Sequence, residues 1–192
     1  MKIILASASP RRRELLKLIG LNPEIRIPEI SESMVPGESI EKFMERITIA
    51  KGINAYQRRY YSSLVISADT IVLLDDRVIG KPRDREDARE MLQSLSGRMH
   101  RVWTGMALMY RGETRFRLAQ TRVFFQRLSE TEIISYLEHE DYLDKAGAYA
   151  IQGRAAIFVE RIEGCFFNVM GFPLNLFYSM AGDVGIDLFA DP

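Results

Sequence analysis

The chain has 192 residues, 47% hydrophobic and 27% charged, a mix that suits a globular protein with a sizeable core. Lysine plus arginine equals aspartate plus glutamate at 26 each, which argues against a general nucleic-acid binder, and the single cysteine, Cys165, excludes an intrachain disulfide. The opening apolar run Ile3–Ala6 is too short for a signal-peptide core and no later stretch reaches membrane-spanning length, so a cytoplasmic protein is expected.

Lys2–Ala6 reads as a buried first strand. Ser7–Pro10 follows, with Ser9 placed to cap a helix and Pro10 at its first position, where a missing N–H costs nothing. The helix is expected over Arg11–Ile19, burying Leu15, Leu16, Leu18 and Ile19, and Gly20 ends it. Pro23–Ile27 is read as a strand and Pro28–Gly37 as a loop. Ser39–Tyr60 carries a helical pattern in Phe43, Ile47, Ala50, Ile53 and Ala55. Leu64–Leu74 is a strand, Asp75–Asp76 a turn and Val78–Ile79 a returning strand. Asp84 caps a helix ending near Leu95. Arg101–Tyr110 and Thr114–Phe125 are two long strands joined at Arg111–Gly112. Ser129–Glu132 is a capping box for a helix to about Glu138. Ala156–Ile162 and Cys165–Val169 are expected to pair as a hairpin about Glu163–Gly164, and Phe172–Ala181 forms the last helix. Interleaved helices and strands with at least two hairpins predict a mixed sheet.

Five segments carry chemistry. Ser7–Arg13 places two hydroxyls and three guanidiniums at a helix start. Cations there oppose the helix dipole, and a bound phosphate would remove the conflict; a solvated basic turn is the alternative. Ser67–Thr70 sets polar residues inside an apolar strand. There Asp69 is either paired or metal-bound against its desolvation cost, or sits at a strand end bonding backbone. Gly80–Pro82 presents Lys81 as a point charge suited to phosphate, although read alone such a segment is more often a surface turn, and Lys51, after Ala50 in a helix, is in a position that is usually solvated. Glu29–Glu32 offers loop carboxylates to a hard cation if Asp69 lies nearby, although spacing alone favours a solvated acidic loop. Asp144–Gly153, with two glycines, three alanines and Gln152, has a backbone able to lie against a flat base and an amide matching the donor–acceptor edge of uracil or thymine; a tight structural loop is the alternative. His100 and His139 lack the spacing of a zinc site.

Together, Ser7–Arg12, Ser67–Thr70, Gly80–Pro82, Leu95–Gly97 with His100, and Asp144–Gly147 through Gln152–Gly153 resemble the Maf family, the septum-formation-inhibitor-like nucleotide pyrophosphatases, in order and spacing from Leu5 to Pro173. The resemblance implies an α/β, inosine-triphosphatase-like fold over residues 1–192. A mixed, largely antiparallel-edged sheet is flanked by helices, in a single Maf-like domain with a cleft between two lobes, commonly as a homodimer. It implies hydrolysis of a nucleoside triphosphate between its α- and β-phosphates with Mg²⁺ or Mn²⁺. By position, Asp69 matches the catalytic base, and Arg11, Thr70 and Gln152 match residues that choose the substrate. Ser7 and Ser9 belong to the phosphate-binding turn, Arg12, Lys51 and Lys81 match phosphate-side cations, and Glu32 joins Asp69 as a metal-side carboxylate. A branch acting on 7-methyl-GTP replaces these specificity positions with an aromatic residue, Gln and Glu. Arg11, Thr70 and Gln152 therefore point to dTTP and UTP, with no stable nucleic-acid or membrane partner. Ala150 and Ser31 depart from the family pattern, where Gly and Asp are usual. A non-catalytic nucleotide- or nucleic-acid-binding regulator of septum formation is the alternative from another class.

Overall fold

The computed structural model of the chain describes residues 1–56 and 61–189. In chain order it contains β1 (Ile3–Ala6), α1 (Pro10–Leu18), β2 (Glu24–Arg26), α2 (Ile40–Ala55), β3 (Leu64–Leu74), β4 (Arg77–Ile79), α3 (Arg85–Leu95), β5 (Met99–Tyr110), β6 (Glu113–Phe125), α4 (Glu130–His139), β7 (Val159–Glu163), α5 (Phe166–Val169) and α6 (Leu174–Asp183). The strands form one sheet in the order β2-β1-β3-β5-β6-β7, with β4 paired to β3. The sheet is mixed, as the interleaving predicts. β1 runs parallel to both β2 and β3, whereas β3–β4 and β6–β7 are antiparallel.

Local chemistry explains most boundaries. Ser39, Asp84 and Ser129 each accept a hydrogen bond from the backbone N–H three residues on, and Ser129 forms a full capping box with Glu132. Two-residue turns follow β3 and β5, and both residues of each have positive φ, at Asp75–Asp76 and at Arg111–Gly112. Asp75 and Asp76 tolerate this conformation better than most residues, and their carboxylates pair with Arg98 and Arg101.

The chain divides into two compact units. One comprises Met1–Asp69, Thr104–Ala119 and Gly171–Pro192, and the other Thr70–Trp103 and Gln120–Met170. In the first, Ile4 of β1, Val65 of β3 and Met109 of β5 form a buried cluster against which Ile49 and Tyr56 pack. In the second, Phe125 packs edge-on against His100 and Tyr149, and Tyr136 lies against Phe158.

Several expectations are corrected. Cys165–Val169 is not a strand: Phe166–Val169 is a helical turn, and Ala156–Phe158 belongs to a 3₁₀ segment. The cause is Asn168, whose buried amide donates to the Val102 carbonyl at 3.0 Å and to Thr121 at 2.9 Å, so the segment coils inward at the position where a second hairpin strand would lie. Leu18 and Ile19 are exposed, so the buried side of α1 stops at Leu16. In α2, Phe43, Ile47 and Ala55 are buried as expected, but Ala50 is half-buried and Ile53 is 61% exposed, and the buried face also takes in Met44, Thr48, Lys51 and Gly52. The expected extension of this helix to Tyr60 falls on residues 57–60, outside the described part of the chain.

Candidate active site

The site in the first unit grows from the contact of α2 with β3. Thr48 and Lys51 lie one helical turn apart, about 4.5 Å along the axis. Ser67 and Asp69 lie two residues apart on β3, about 6.6 Å, with their side chains on the same face. The two pairs meet. Ser67 Oγ donates to the Thr48 carbonyl at 2.7 Å, and Lys51 Nζ donates to Asp69 Oδ1. Glycine makes the approach possible. A Cβ on Gly52 would stand 2.7 Å from Met109 Cε and 2.9 Å from Ser67 Oγ, and one on Gly105 would stand 2.6 Å from Thr48 Oγ1. Lys51 is 7% exposed and Asp69 8%. Asp69 takes the paired reading open to it from sequence, and Lys51 is buried and paired where a solvated helix position was the plain expectation.

Lys51 also reaches Glu32, at 2.8 Å from Oε1. The loop carrying Glu32 is fastened to α2 on both sides of that contact. The Asn54 side-chain amide accepts from the Glu29 N–H at 3.1 Å and donates to the Glu29 carbonyl at 3.3 Å. Arg46 donates to the Ser33 carbonyl at 3.0 Å and grips Glu38 through two hydrogen bonds of 2.7 Å. This hold draws the Glu38 carboxyl down to about 2. The sequence reading missed Asn54 and Arg46; the signal available was a polar residue one turn beyond Lys51 on the same helix.

The turn between β1 and α1 supplies the third element. Buried Ser7 accepts through its Oγ from the Ser9 N–H and from Arg12 Nη1, both at 3.1 Å. Arg12 Nε donates to the Gly171 carbonyl at 2.9 Å. Ser9 occupies the cap position of α1, yet its side chain makes no capping bond, and the first turn holds no acid. Burial lowers the Arg12 pKa; Asp69 raises it, Arg11 lowers it further and Glu32 raises it. Ser7, Arg12, Glu32, Lys51 and Asp69 thus form one electrostatic cluster, with Arg11 acting on it.

Asp69 and Glu32 direct oxygens at a single ammonium. Among the described residues no group of three or more His, Cys, Asp or Glu side chains is placed to hold a metal ion. Two carboxylates remain a suitable donor set for Mg²⁺ or Mn²⁺, hard cations that take one or two protein carboxylates and complete their shell with water and phosphate oxygens. Ser31 adds no acid to this set; its hydroxyl hydrogen-bonds Ser33 at 3.2 Å.

The other predicted site residues belong to the second unit. Thr70 is half-buried on β3, and Lys81 and Gln152 are exposed. The Gly147 N–H donates to the Gly80 carbonyl at 2.9 Å, which ties the loop bearing Gln152 to the loop bearing Lys81. Gly147 has a φ of 72°, and a Cβ there would lie 3.4 Å from Val72, so the glycine answers both a backbone and a packing demand. Within this loop Tyr149 shares a buried hydrogen bond of 2.7 Å with His100 of β5.

The family model for Maf-like protein matches residues 2–184. The chain belongs to the Maf-like family. Among its relatives is a dTTP/UTP pyrophosphatase of Clostridium botulinum, 42% identical over 183 residues, with 94% of this chain and 97% of the relative covered. Another is a dTTP/UTP pyrophosphatase of Thermotoga maritima, 42% identical over 186 residues, with 96% and 90% covered. The Ham1 protein of Staphylococcus aureus superposes with a TM-score of 0.53 at 14% identity, covering 96% of this Maf-like chain and all of its own. A Ham1 protein from Coxiella burnetii gives 0.51 at 14%, covering 95% and 99%. At that identity the likeness speaks to fold alone.

Proposed function

We propose that this Maf-like protein hydrolyses dTTP and UTP to the monophosphate and pyrophosphate. The observation that carries the reading is the buried Lys51 joined to Asp69 and Glu32 beside the Ser7–Arg12 turn. A site holding both cations and acids can neutralise a triphosphate and also activate water. The names of the relatives, dTTP/UTP pyrophosphatase, support the same substrates here.

Asp69 and Glu32 would hold Mg²⁺ or Mn²⁺, which when bound neutralises phosphate oxygens and polarises the α-phosphorus. Water attacks that phosphorus and passes its proton to Asp69. The bond from the α-phosphorus to the oxygen bridging to the β-phosphorus breaks, and pyrophosphate leaves with that oxygen. Arg12, Lys51 and Lys81 offset the charge gathering on the leaving group, with Ser7 and Ser9 lining the phosphate turn. Gln152 and Thr70 read the pyrimidine edge, and Arg11 contributes to the choice of substrate. We further read residues 1–192 as one Maf-like domain acting as a cytoplasmic homodimer with no stable nucleic-acid or membrane partner. No described helix is long and apolar enough to cross a membrane.

A nucleotide panel with pyrophosphate release as readout tests the reading, run with Mg²⁺, with Mn²⁺ and after exhaustive chelation. Release from dTTP and UTP that requires the added cation is expected. Preference for GTP or 7-methyl-GTP defeats the substrate assignment, and activity surviving chelation defeats the metal assignment. Salt-sensitive DNA binding without pyrophosphate release would favour the non-catalytic regulator.

A further inference from the structure

The loop that ends in Gln152 has a backbone its sequence alone does not hold. Gly147 and Ala148 are consecutive residues in the left-handed region, with φ of 72° and 60°. Alanine enters that region only where its surroundings impose it, and Ala148 is fully buried. The Gly147 N–H bond to Gly80 secures one end of the turn. The next residue, Tyr149, is 6% exposed. Its ring packs edge-on to Phe125 and to His100, with centroids 4.8 and 5.4 Å away. Its hydroxyl meets His100 Nε2 at 2.7 Å.

His100 is 1% exposed, and its other nitrogen, Nδ1, makes no hydrogen bond among the described residues. The Tyr149 hydroxyl is therefore the bond that satisfies this imidazole. Loss of that bond leaves a buried ring with no polar partner, and the aromatic contacts alone fix the tyrosine less sharply in direction. Ile151 is buried as well, and Gln152 comes out to the surface three residues after the anchor.

We infer that the His100–Tyr149 hydrogen bond is a positioning device for base selection: it fixes the Asp144–Gly153 loop so that the Gln152 amide presents its donor and acceptor in one register. This rests on the reading of Gln152 as the residue that meets the pyrimidine. Neither His100 nor Tyr149 touches the reacting atoms; both act through Gln152.

Tyr149→Phe tests it, because the substitution removes one oxygen and keeps the ring contacts. The quantities to measure are kcat/KM for dTTP and for GTP, and the affinity for inorganic pyrophosphate, which has no base, by calorimetry. The dTTP-to-GTP ratio is expected to fall about tenfold, chiefly through KM for dTTP, as one lost buried hydrogen bond implies. Pyrophosphate affinity stays unchanged. His100→Gln, whose amide is able to restore a bond to the tyrosine hydroxyl, keeps more of the selectivity than His100→Phe. An anchor that is only structural lowers the melting temperature of these variants and leaves the ratio alone; that result overturns the inference, as does an equal loss of pyrophosphate affinity. A wild-type protein with no pyrimidine preference overturns both the inference and the substrate reading beneath it, whereas an unchanged ratio in variants of a selective wild type overturns the inference alone.

Discussion

Lys51 and Asp69 are joined by an ion pair between helix and strand that is almost closed to water, with side chains 9% and 12% exposed. Removing one partner of such a pair leaves a charge with little solvent to replace it. Lys51→Met is expected to cost about 3 kcal/mol, at the low end for a broken buried pair, because half-exposed Glu32 leaves water a way in. Asp69→Asn keeps the size and an acceptor for Lys51 but abolishes both proton uptake and anionic ligation. Turnover should then fall by more than the roughly 10²–10⁴ of a lone general base. Urea unfolding and pyrophosphate release measure the two effects separately. Ordinary turnover in Asp69→Asn would remove Asp69 from the chemistry.

Gly52→Ala tests how closely α2 must approach the sheet. The added methyl would meet the end of the Met109 side chain, which is able to move, and Ser67 Oγ, which is held by the Thr48 carbonyl. Overpacking of this kind costs about 1–3 kcal/mol. Helix α2 should yield more readily than the strand, and Lys51 lies next to Gly52. A loss of turnover larger than the loss of stability explains is therefore expected. Parallel measurement of kcat and of the urea midpoint decides, and wild-type turnover in a destabilised variant would show that the spacing does not matter for chemistry.

The elements whose cause is local were legible in the sequence. Ser39, Asp84 and Ser129 cap their helices by bonds to residues three positions away, and Asp75–Asp76 and Arg111–Gly112 turn the chain with their own backbones. Those elements whose cause is tertiary were not legible. Apolar spacing found Phe43, Ile47 and Ala55 on the buried side of α2 but also placed Ala50 and Ile53 there, whereas the rest of the buried face is partly polar. Lys51 is accepted there because Asp69 meets it from another element, and the Thr48 backbone carbonyl takes the Ser67 hydroxyl while its own hydroxyl has no hydrogen-bond partner among the described residues; a hydrophobic pattern carries no trace of such contacts. Phe166–Val169 fails for the same reason, since only the distant Val102 carbonyl and Thr121 explain why Asn168 turns inward. At the site, residue types pointed to the Ser7–Arg13 turn and to Asp69, and the family resemblance added Glu32 and Lys51. The hold of Asn54 and Arg46 on the Glu32 loop required coordinates.

His100 gives the protein a defined acid sensitivity. Burial lowers its pKa from 6.5 to about 4. The unfolded chain takes up a proton as pH falls through 6.5, and the folded chain resists until about 4. This group's contribution is therefore fully present above pH 6.5 and is lost as pH falls across that window, by on the order of 3 kcal/mol in total. Urea unfolding at pH 7.5, 6, 5 and 4 should show this slope in the wild type, and a His100→Gln variant should lack that part of it. Identical pH slopes in the two proteins would contradict the assignment.

Gln152→Glu isolates the recognition of the base from the chemistry on the phosphates. Gln152 is exposed, so water solvates the added carboxylate and the fold should be little disturbed. A carboxylate keeps the acceptor that meets the pyrimidine N3–H and loses the donor that meets a ring carbonyl, placing an oxygen against an oxygen. A site built to satisfy a polar pattern discriminates strongly when that pattern is broken, so kcat/KM for UTP should fall by at least about 10²-fold. The altered acceptor pattern favours a base that offers donors along its edge, and the ratio of GTP to UTP turnover should rise. Pyrophosphate affinity should hold, because Lys51, Arg12 and Asp69 are untouched. The nucleotide panel, repeated on this variant with pyrophosphate binding alongside, separates the possibilities. An unchanged UTP efficiency would take Gln152 out of base recognition, and a parallel fall for every nucleotide together with pyrophosphate would assign it to the phosphates.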